Sequence, residues 1–592
     1  MTGLSQVLSI ASTAMLFNQT AMGVISHNVS NVNTEGYSRQ EIRGNAVAMN
    51  GEGNGVALAA VDRKVDSLLV SQLVNQTSQS AYATMRQTSM KGMEVIFGTP
   101  NSDTGMPKII NDFFAELNNL TAEPNSSAQR QNVVQQATFM TDTLNAMYQQ
   151  ADDIQRQLDS QINDNITVIN SALERIYKAN EKIAQVEATK VGPQNTNDLR
   201  DARQQDINLI SGFFKVSVTQ DAYGRARILT ETGQRLVDTN YVQLERTAAP
   251  APAYQGIGLR SVQTDGSLST TVFPLLTDRM TAGSIKAAID VRDTEIPNLK
   301  AQIDEFTRVM VDQINAVHSQ GVGVPPPSTL PGTVLGIAGA DVVTELGLTP
   351  GSTFDISVLD KATGTALNTV TVTVPAAPTS AVAFANQINV AMAGAGFPGT
   401  VSASFTGGRF SLTDTSGTNG LIVGNDTSDT LAKIKLNPLL EINMTGTGSP
   451  AQSVHVRADI KADPGLVAVG KMRADGGLSL NDNRNAIDLS QVASGVFDYN
   501  AVGGISPQKD TLVGYFVTIT GNLAVGLKDN TNRQGFQQAL QDDIEQRASS
   551  VSGVNMDEEL ANLVVFQNAF QASARVITVV DEMFDTLINT IR

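Results

Sequence analysis

The chain has 592 residues, a formal net charge of −17, and neither cysteine nor tryptophan. That length exceeds what one core can organise and predicts several domains, while the acidic balance excludes a nucleic-acid scaffold, which needs a basic surface. Without cysteine there are no disulfides, thiolate metal sites, iron–sulfur clusters or cysteine nucleophiles.

Apart from His27, the first 34 residues carry no ionisable side chain; Glu35 is the first acid and Arg39 the first fixed cation. The basic start of a cleavable secretory signal is missing, and no run reaches 18 consecutive apolar residues, so no membrane span is expected. What the segment carries is a heptad. Leu4, Ala11, Ile25 and Val32 hold one register, with Asn18 as its polar exception, and Leu8, Met15, Met22 and Val29 hold the other. Apolar residues every 3.5 positions form a narrow seam that requires a partner helix. A helix whose outer face is polar but uncharged is expected to have neighbours on all sides. Asn18 is expected to set the register of that contact.

Asn31 to Ser38 breaks the helix, and Gly51 to Gly55 reads as a turn, not a phosphate loop, since no P-loop lysine follows. Helical periodicity then runs from Val65 to Phe97, stopping at Gly98-Thr99-Pro100, and from Pro107 to Leu120. Ser126 or Ser127 caps a further helix, in which Ala137, Met140, Leu144, Met147, Ala151, Ile154 and Leu158 keep 3–4 spacing. After a stutter the pattern continues to Ile183 and ends at Gly192-Pro193. A short helix follows at Asp198–Ile210, and then the period becomes two, as in Phe214, Val216 and Val218. Helix returns over Ser284–Ser319. Gly321 to Pro327 reads as an extended linker. Residues 330–455 are short Thr-, Ser-, Gly- and Val-rich strands, interrupted by one helix at Ala381–Ala393, and predict a sandwich or split barrel. Helix resumes at Leu512 and is broken at Gly553. In the segment beyond, Leu563, Phe570, Ile577, Phe584 and Ile591 repeat every seven residues, with Phe566, Ser573, Val580 and Leu587 in the second register.

The expected fold is α+β and multidomain, with terminal coiled-coil helices and a long helical bundle carrying inserted β-rich domains. The expected divisions are 1–60 (assembly segment), 61–210 (helical rod), 211–283 (β-rich), 284–324 (helical return), 325–455 (β-rich insert), 456–510 (mixed return) and 511–592 (helical rod and assembly segment).

The search for chemistry finds no catalytic constellation and no expected cofactor or metal. His27, His318 and His455 lie far apart and form no HExxH. His318 ends a helix, where an imidazole can bond a terminal carbonyl. Only His455 has a carboxylate four residues on, Asp459. GxSxG is absent, Ser506 to Lys509 lacks the partner motifs of an SxxK enzyme, and Asp152-Asp153 and Asp542-Asp543 read as solvated helix faces. An enzyme is not expected.

The stretch Asn28-Val29-Ser30-Asn31-Val32-Asn33-Thr34-Glu35-Gly36-Tyr37-Ser38-Arg39-Gln40 resembles the signature of bacterial flagellar rod, hook and hook-associated proteins. Gly55-Val56 followed by Arg63, Asp66, Leu69 and Gln72-Leu73 is similar to that family's second block. Asn197 to Arg203 resembles its central helix, although Gln204-Gln205-Asp206 departs from the usual pattern. Asn315, His318 and Gly321 fit its Asn-x-x-His-x-x-Gly helix end, and Ser552 to Glu559 its C-terminal mark. The match covers roughly the first 330 and last 90 residues; the insert carries no family mark.

The resemblance implies a structural adaptor at the hook–filament junction, extracellular in the flagellum and exported through the type III apparatus without a cleaved signal. It implies self-association, the hook protein and hook-associated protein 3 as neighbours, and a cytoplasmic export chaperone on the C-terminal segment. Leu4, Leu8, Met15, Asn18, Met22, Ile25 and Val29 are expected to form one half of the assembly seam. Leu563, Phe566, Phe570, Ile577, Phe584, Leu587 and Ile591 are expected to form the other. A hook- or rod-type axial protein, and a stalked adhesin carried by the β-rich insert, are the alternatives.

Overall fold

In a computed structural model of the chain, the described residues are 2–49, 52–97, 105–189, 196–248, 254–263, 265–442 and 448–591. They fall into two units. One gathers 1–89, 157–291 and 528–592; the other gathers 90–156 and 292–527.

The first unit begins with α1 (Thr2–Ser30), which packs against the last helix, Met556–Ile591. Between Gln40 and Arg63 the chain forms an antiparallel hairpin, β1 (Gln40–Met49) and β2 (Glu52–Arg63), with register shifts after Arg43 and Ala46. The sequence gives this hairpin only as a Gly-rich turn, because polar and small residues blur its alternation. Gly44 allows the sheet to lie on α1, since a Cβ there would sit 2.8 Å from the Phe17 ring. Helix α2 (Ser67–Phe97) follows. Next are α3 (Met106–Ala122), whose residues belong to the second unit, and α4 (Ser127–Thr189), a single helix of 63 residues. The stops expected at Gly98-Thr99-Pro100 and Gly192-Pro193 lie outside the described residues.

Helix α5 (Asn197–Phe213) leads into two three-stranded antiparallel meanders. The first is β3 (Val216–Gln220), β4 (Ala226–Thr230) and β5 (Arg235–Val237); the second is β6 (Val242–Thr247), β7 (Gly256–Val262) and β8 (Leu268–Pro274). The helix expected over Ser284–Ser319 is real but interrupted. α6 (Ser284–Asp290) passes through one π turn at Val291–Glu295 before α7 (Ile296–His318), a local over-wide turn of the kind that relieves packing strain without ending a helix.

In the second unit, α7 buries Ile303, Phe306, Met310 and Ile314. Its end is fixed by two side chains. Asn315 accepts from the backbone N–H groups of Leu439 (2.9 Å) and Leu440 (3.0 Å) and donates to the Leu440 carbonyl (2.7 Å). His318 bonds the Asn437 carbonyl through Nδ1 (2.8 Å) and accepts from the Ala468 N–H at Nε2 (3.0 Å). Its partners are thus distant loop residues and not a terminal carbonyl of its own helix, because the helix end is buried under those loops. Gly321 and Val322 are no linker. They are buried and pair antiparallel with Lys471 and Gly470.

The strand-rich segment has its own apolar core, running from Val322 through Phe354, Ile356, Phe384 and Leu421 to Leu478. Strands Ala366–Thr373, Thr353–Asp360 and Asn419–Gly424 make one antiparallel sheet. Thr329–Pro331, Arg409–Asp414 and Val401–Thr406 make a second, with the helix Ala381–Gly394 against it. His455 pairs with Glu441 across two short strands (3.3 Å), and Asp459 is taken by Arg457 instead.

Candidate assembly site

Two features meet in the first unit, an apolar seam and a buried polar clasp at one end of it. α1 and the last helix run antiparallel. Gly3, Leu4 and Val7 share a cavity of about 460 Å³ with Val576, Val579, Val580 and Met583, while Ala21, Val24 and Ile25 share one of about 240 Å³ with Asn562 and Phe566. On α1, Ile25 and Asn18 are buried and Leu4, Leu8, Met15, Met22 and Val29 are half-buried. Opposite, Leu563, Phe566, Phe570, Ile577, Phe584 and Leu587 are half-buried and Val580 is buried. The side chain of Ile591 lies outside the described residues. The two expected half-seams are therefore brought together within one chain.

Large apolar side chains nevertheless remain exposed on both helices. Val7, Ile10 and Leu16 on α1, and Val564, Val565, Val576, Val579, Met583 and Ile588 on the last helix, are exposed. By length and mean hydropathy alone both helical regions could cross a bilayer; their apolar pairing and the polar network at one end give a different account of the same apolarity.

That network centres on Asn28, which is 1% exposed. Its amide uses its full hydrogen-bonding capacity. Nδ2 donates to the Gln40 carbonyl (2.9 Å) and to Glu559 Oε2 (2.9 Å). Oδ1 accepts from the Gln40 N–H (3.0 Å) and the Tyr37 hydroxyl (2.7 Å). Burial, then the negative charges of Asp198, Asp201 and Glu559, push the Tyr37 phenol well above its ordinary value, so it remains a donor. Its oxygen therefore accepts from Nδ1–H of His27 (3.0 Å).

Arg39 completes the link. Its Nε lies 2.8 Å from Glu559, which is also buried, and its guanidinium donates to Glu558 at 3.0 Å. Burial alone would lower the Arg39 pKa; the hydrogen bond to Glu558 and the charges of Glu559, Glu558 and Glu41 outweigh it and raise it. The Arg39 N–H donates to the Ser552 carbonyl (2.8 Å). Ser38 turns the other way. Its N–H and hydroxyl donate to Asp201 on α5 (3.1 and 2.8 Å), and Arg63 from β2 reaches the same carboxylate at 2.7 Å. Gln40 donates to Asp198 (2.9 Å) and Asn197 to the Val61 carbonyl (2.8 Å). Gly36 has a positive φ of 76°, and any Cβ there would strike the Gln205 side chain, so only glycine makes this turn.

Arg203 on α5 donates to Asn180 (2.8 Å) and the Gly224 carbonyl (2.7 Å). Burial, then Arg200 and Arg63, push it down to about 10, which leaves it charged at neutral pH. The seam was readable from heptads; the clasp was not, since its parts come from residues 27–40, 61–63, 197–205 and 552–559. The signals present were the motif blocks at residues 28–40, at Arg63 and at residues 197–203 and 552–559, which mark its parts without saying that they meet, and Glu35 and Arg39 as the first charges after a long uncharged run. The chemistry of the clasp is adhesive: its carboxylates and amides are taken up by protein partners, and among the described residues no group of three or more His, Cys, Asp or Glu could hold a metal.

Comparison with known proteins gives three family matches. Residues 90–329 match the flagellar hook-associated protein FlgK helical domain, 545–590 the flagellar basal body rod FlgEFG protein C-terminal segment, and 8–37 the flagella basal body rod protein segment. Flagellar hook-associated protein 1 of Escherichia coli is 25% identical over 99% of this chain and 100% of its own length. That of Salmonella typhimurium is 23% identical with the same coverage, and that of Bacillus subtilis 22% identical over 100% of this chain and 99% of its own. The flagellar hook junction protein FlgK of Burkholderia pseudomallei aligns with 81% of this chain and 100% of its own at 18% identity, with a TM-score of 0.49.

Proposed function

The chain belongs to the flagellar hook-associated proteins, structural components of the flagellum at the hook junction, and from that premise we propose that it polymerises there through its paired first and last helices. The observation that carries this reading is the apolar side chains left exposed along both helices, at Val7, Ile10 and Leu16 and at Val564, Val565, Val576 and Val579. Apolar surface of this extent on a helical pair marks an interaction site, and a ring or helical layer of identical copies covers it repeatedly. The seam residues Leu4, Leu8, Met15, Asn18, Met22, Ile25 and Val29, with Leu563, Phe566, Phe570, Ile577, Phe584, Leu587 and Ile591, are assigned to this assembly surface.

The neighbours proposed are the hook protein on one side and hook-associated protein 3 on the other. Before export, a cytoplasmic chaperone covers the last helix. Export proceeds through the flagellar apparatus, and a chain without cysteine can pass unfolded with nothing to crosslink. Phe570→Asp places a charge in the half-buried seam. The variant is expected to keep its circular dichroism but to be missing from isolated hook–filament junctions, with loss of swimming. Normal incorporation would refute the seam's role.

A further inference from the structure

The heptads specify that α1 and the last helix pair, but not where along each other they stop. Residues Leu563, Phe570, Ile577 and Phe584 repeat every seven positions, as do Phe566, Ser573, Val580 and Leu587, and α1 repeats in the same way. A slip of one heptad therefore returns apolar side chains to apolar neighbours, and the burial energy changes little. Asn18, the polar residue on the seam, is buried there, but the polar link to the last helix is made ten residues on, at Asn28.

We infer that the Asn28–Arg39–Glu558–Glu559 clasp is the device that fixes the axial register of α1 against the last helix, and through Ser38–Asp201 fixes that pair to α5. The inference rests on the assembly reading above and adds its positioning residues. A seven-residue slip would strand the Glu559 carboxylate, 2% exposed, and the Arg39 guanidinium, 8% exposed, without each other. It would also take one of the two acceptors from the Asn28 amide. Breaking a buried charge pair is strongly unfavourable, whereas sliding a leucine to the next leucine is not. Register set in this way would be the same in every copy, as a repeating layer needs.

The chain's lack of cysteine makes register directly readable in the full-length protein. Leu4→Cys is combined in turn with Ser573→Cys, Val580→Cys or Leu587→Cys, and each pair is oxidised and quantified by mass. Leu4 and Val580 line one cavity, so the Val580 pair should exceed the other two by more than about tenfold. With Asn28→Ala/Glu559→Ala added, the three yields should converge. Glu559→Gln keeps the side-chain volume and should produce the same trend in a milder form. Equal yields without the clasp substitutions, or an undiminished preference for Val580 with both sets of them, would overturn the inference. Its failure is separable from failure of the assembly reading, because Phe570→Asp tests incorporation and the cysteine pairs test alignment.

Discussion

His318 shows how a single side chain can be structural without being inert. It is fully buried, with Nδ1–H donating to Asn437 and Nε2 accepting from Ala468, so both contacts require the neutral ring. Burial, opposed in part by the hydrogen bond to the Asn437 carbonyl, reinforced by Arg457 and opposed weakly by Asp459, pushes its pKa from the ordinary 6.5 down to about 3. A base whose folded pKa is depressed is protonated only in the unfolded chain across the interval between the two values. Stability from this group is therefore complete above pH 6.5 and is lost as pH falls toward 3, at up to about 1.4 kcal/mol per pH unit. Urea midpoints of the second unit should fall over that range and the slope should shrink in His318→Gln; identical slopes in both proteins would exclude His318 as its source. His455 behaves oppositely, raised by its bond to Glu441, and because it is present in both proteins its contribution cancels in their comparison. From sequence, only the position of His318 at a helix end was legible; the carbonyl it bonds lies 119 residues away.

At the scale of elements, helices were more legible than strands, for a physical reason. The 3–4 spacing from Ala137 to Ile183 survives in α4 because one apolar stripe suffices to define a long helix. The hairpin β1–β2 and the pairing of Gly321-Val322 with Gly470-Lys471 leave no comparable periodic trace. Their strands are short, small-residued or paired with segments far along the chain. The same limit hid the clasp, whose charged residues pair over 519 positions between Arg39 and Glu558. Gly321 is a case where the element explains the residue. A Cβ there would lie 2.2 Å from the Asn485 amide nitrogen, and Asn485 is itself fully buried and holds the Ala468 carbonyl at 2.8 Å. Gly321→Ala should lower the stability of the second unit by about 2 kcal/mol through overpacking. Gly321→Ala/Asn485→Ser should cost less than the two single changes summed, as a shared clash requires. Strict additivity in chemical denaturation would mean that the glycine is there for another reason.

At the scale of the whole molecule, the proposed assembly seam and the strand-rich insert draw on different residues. The seam and clasp lie in the first unit, while the insert core from Leu330 to Leu436 lies in the second. That core does not end at the insert's own borders. Val322, Met472 and Leu478 belong to it, and the Leu478 N–H donates to the Gly364 carbonyl at 2.8 Å. Removing residues 330–436 behind a short Gly-Ser connection would thus bare three large apolar side chains, a loss of roughly 5 kcal/mol by area, without touching Asn28, Arg39 or Glu559. The expected outcome is a chain whose second unit unfolds earlier but which still enters hook–filament junctions and supports swimming. Adding Met472→Gln and Leu478→Gln should restore solubility, because the newly exposed patch is then polar. If instead the excised protein is exported, stays folded and is absent from junctions, the insert contributes to the joint itself. If junctions and swimming are normal while attachment to surfaces or glycans is lost, the insert is the binding module of a stalk whose helices only anchor it.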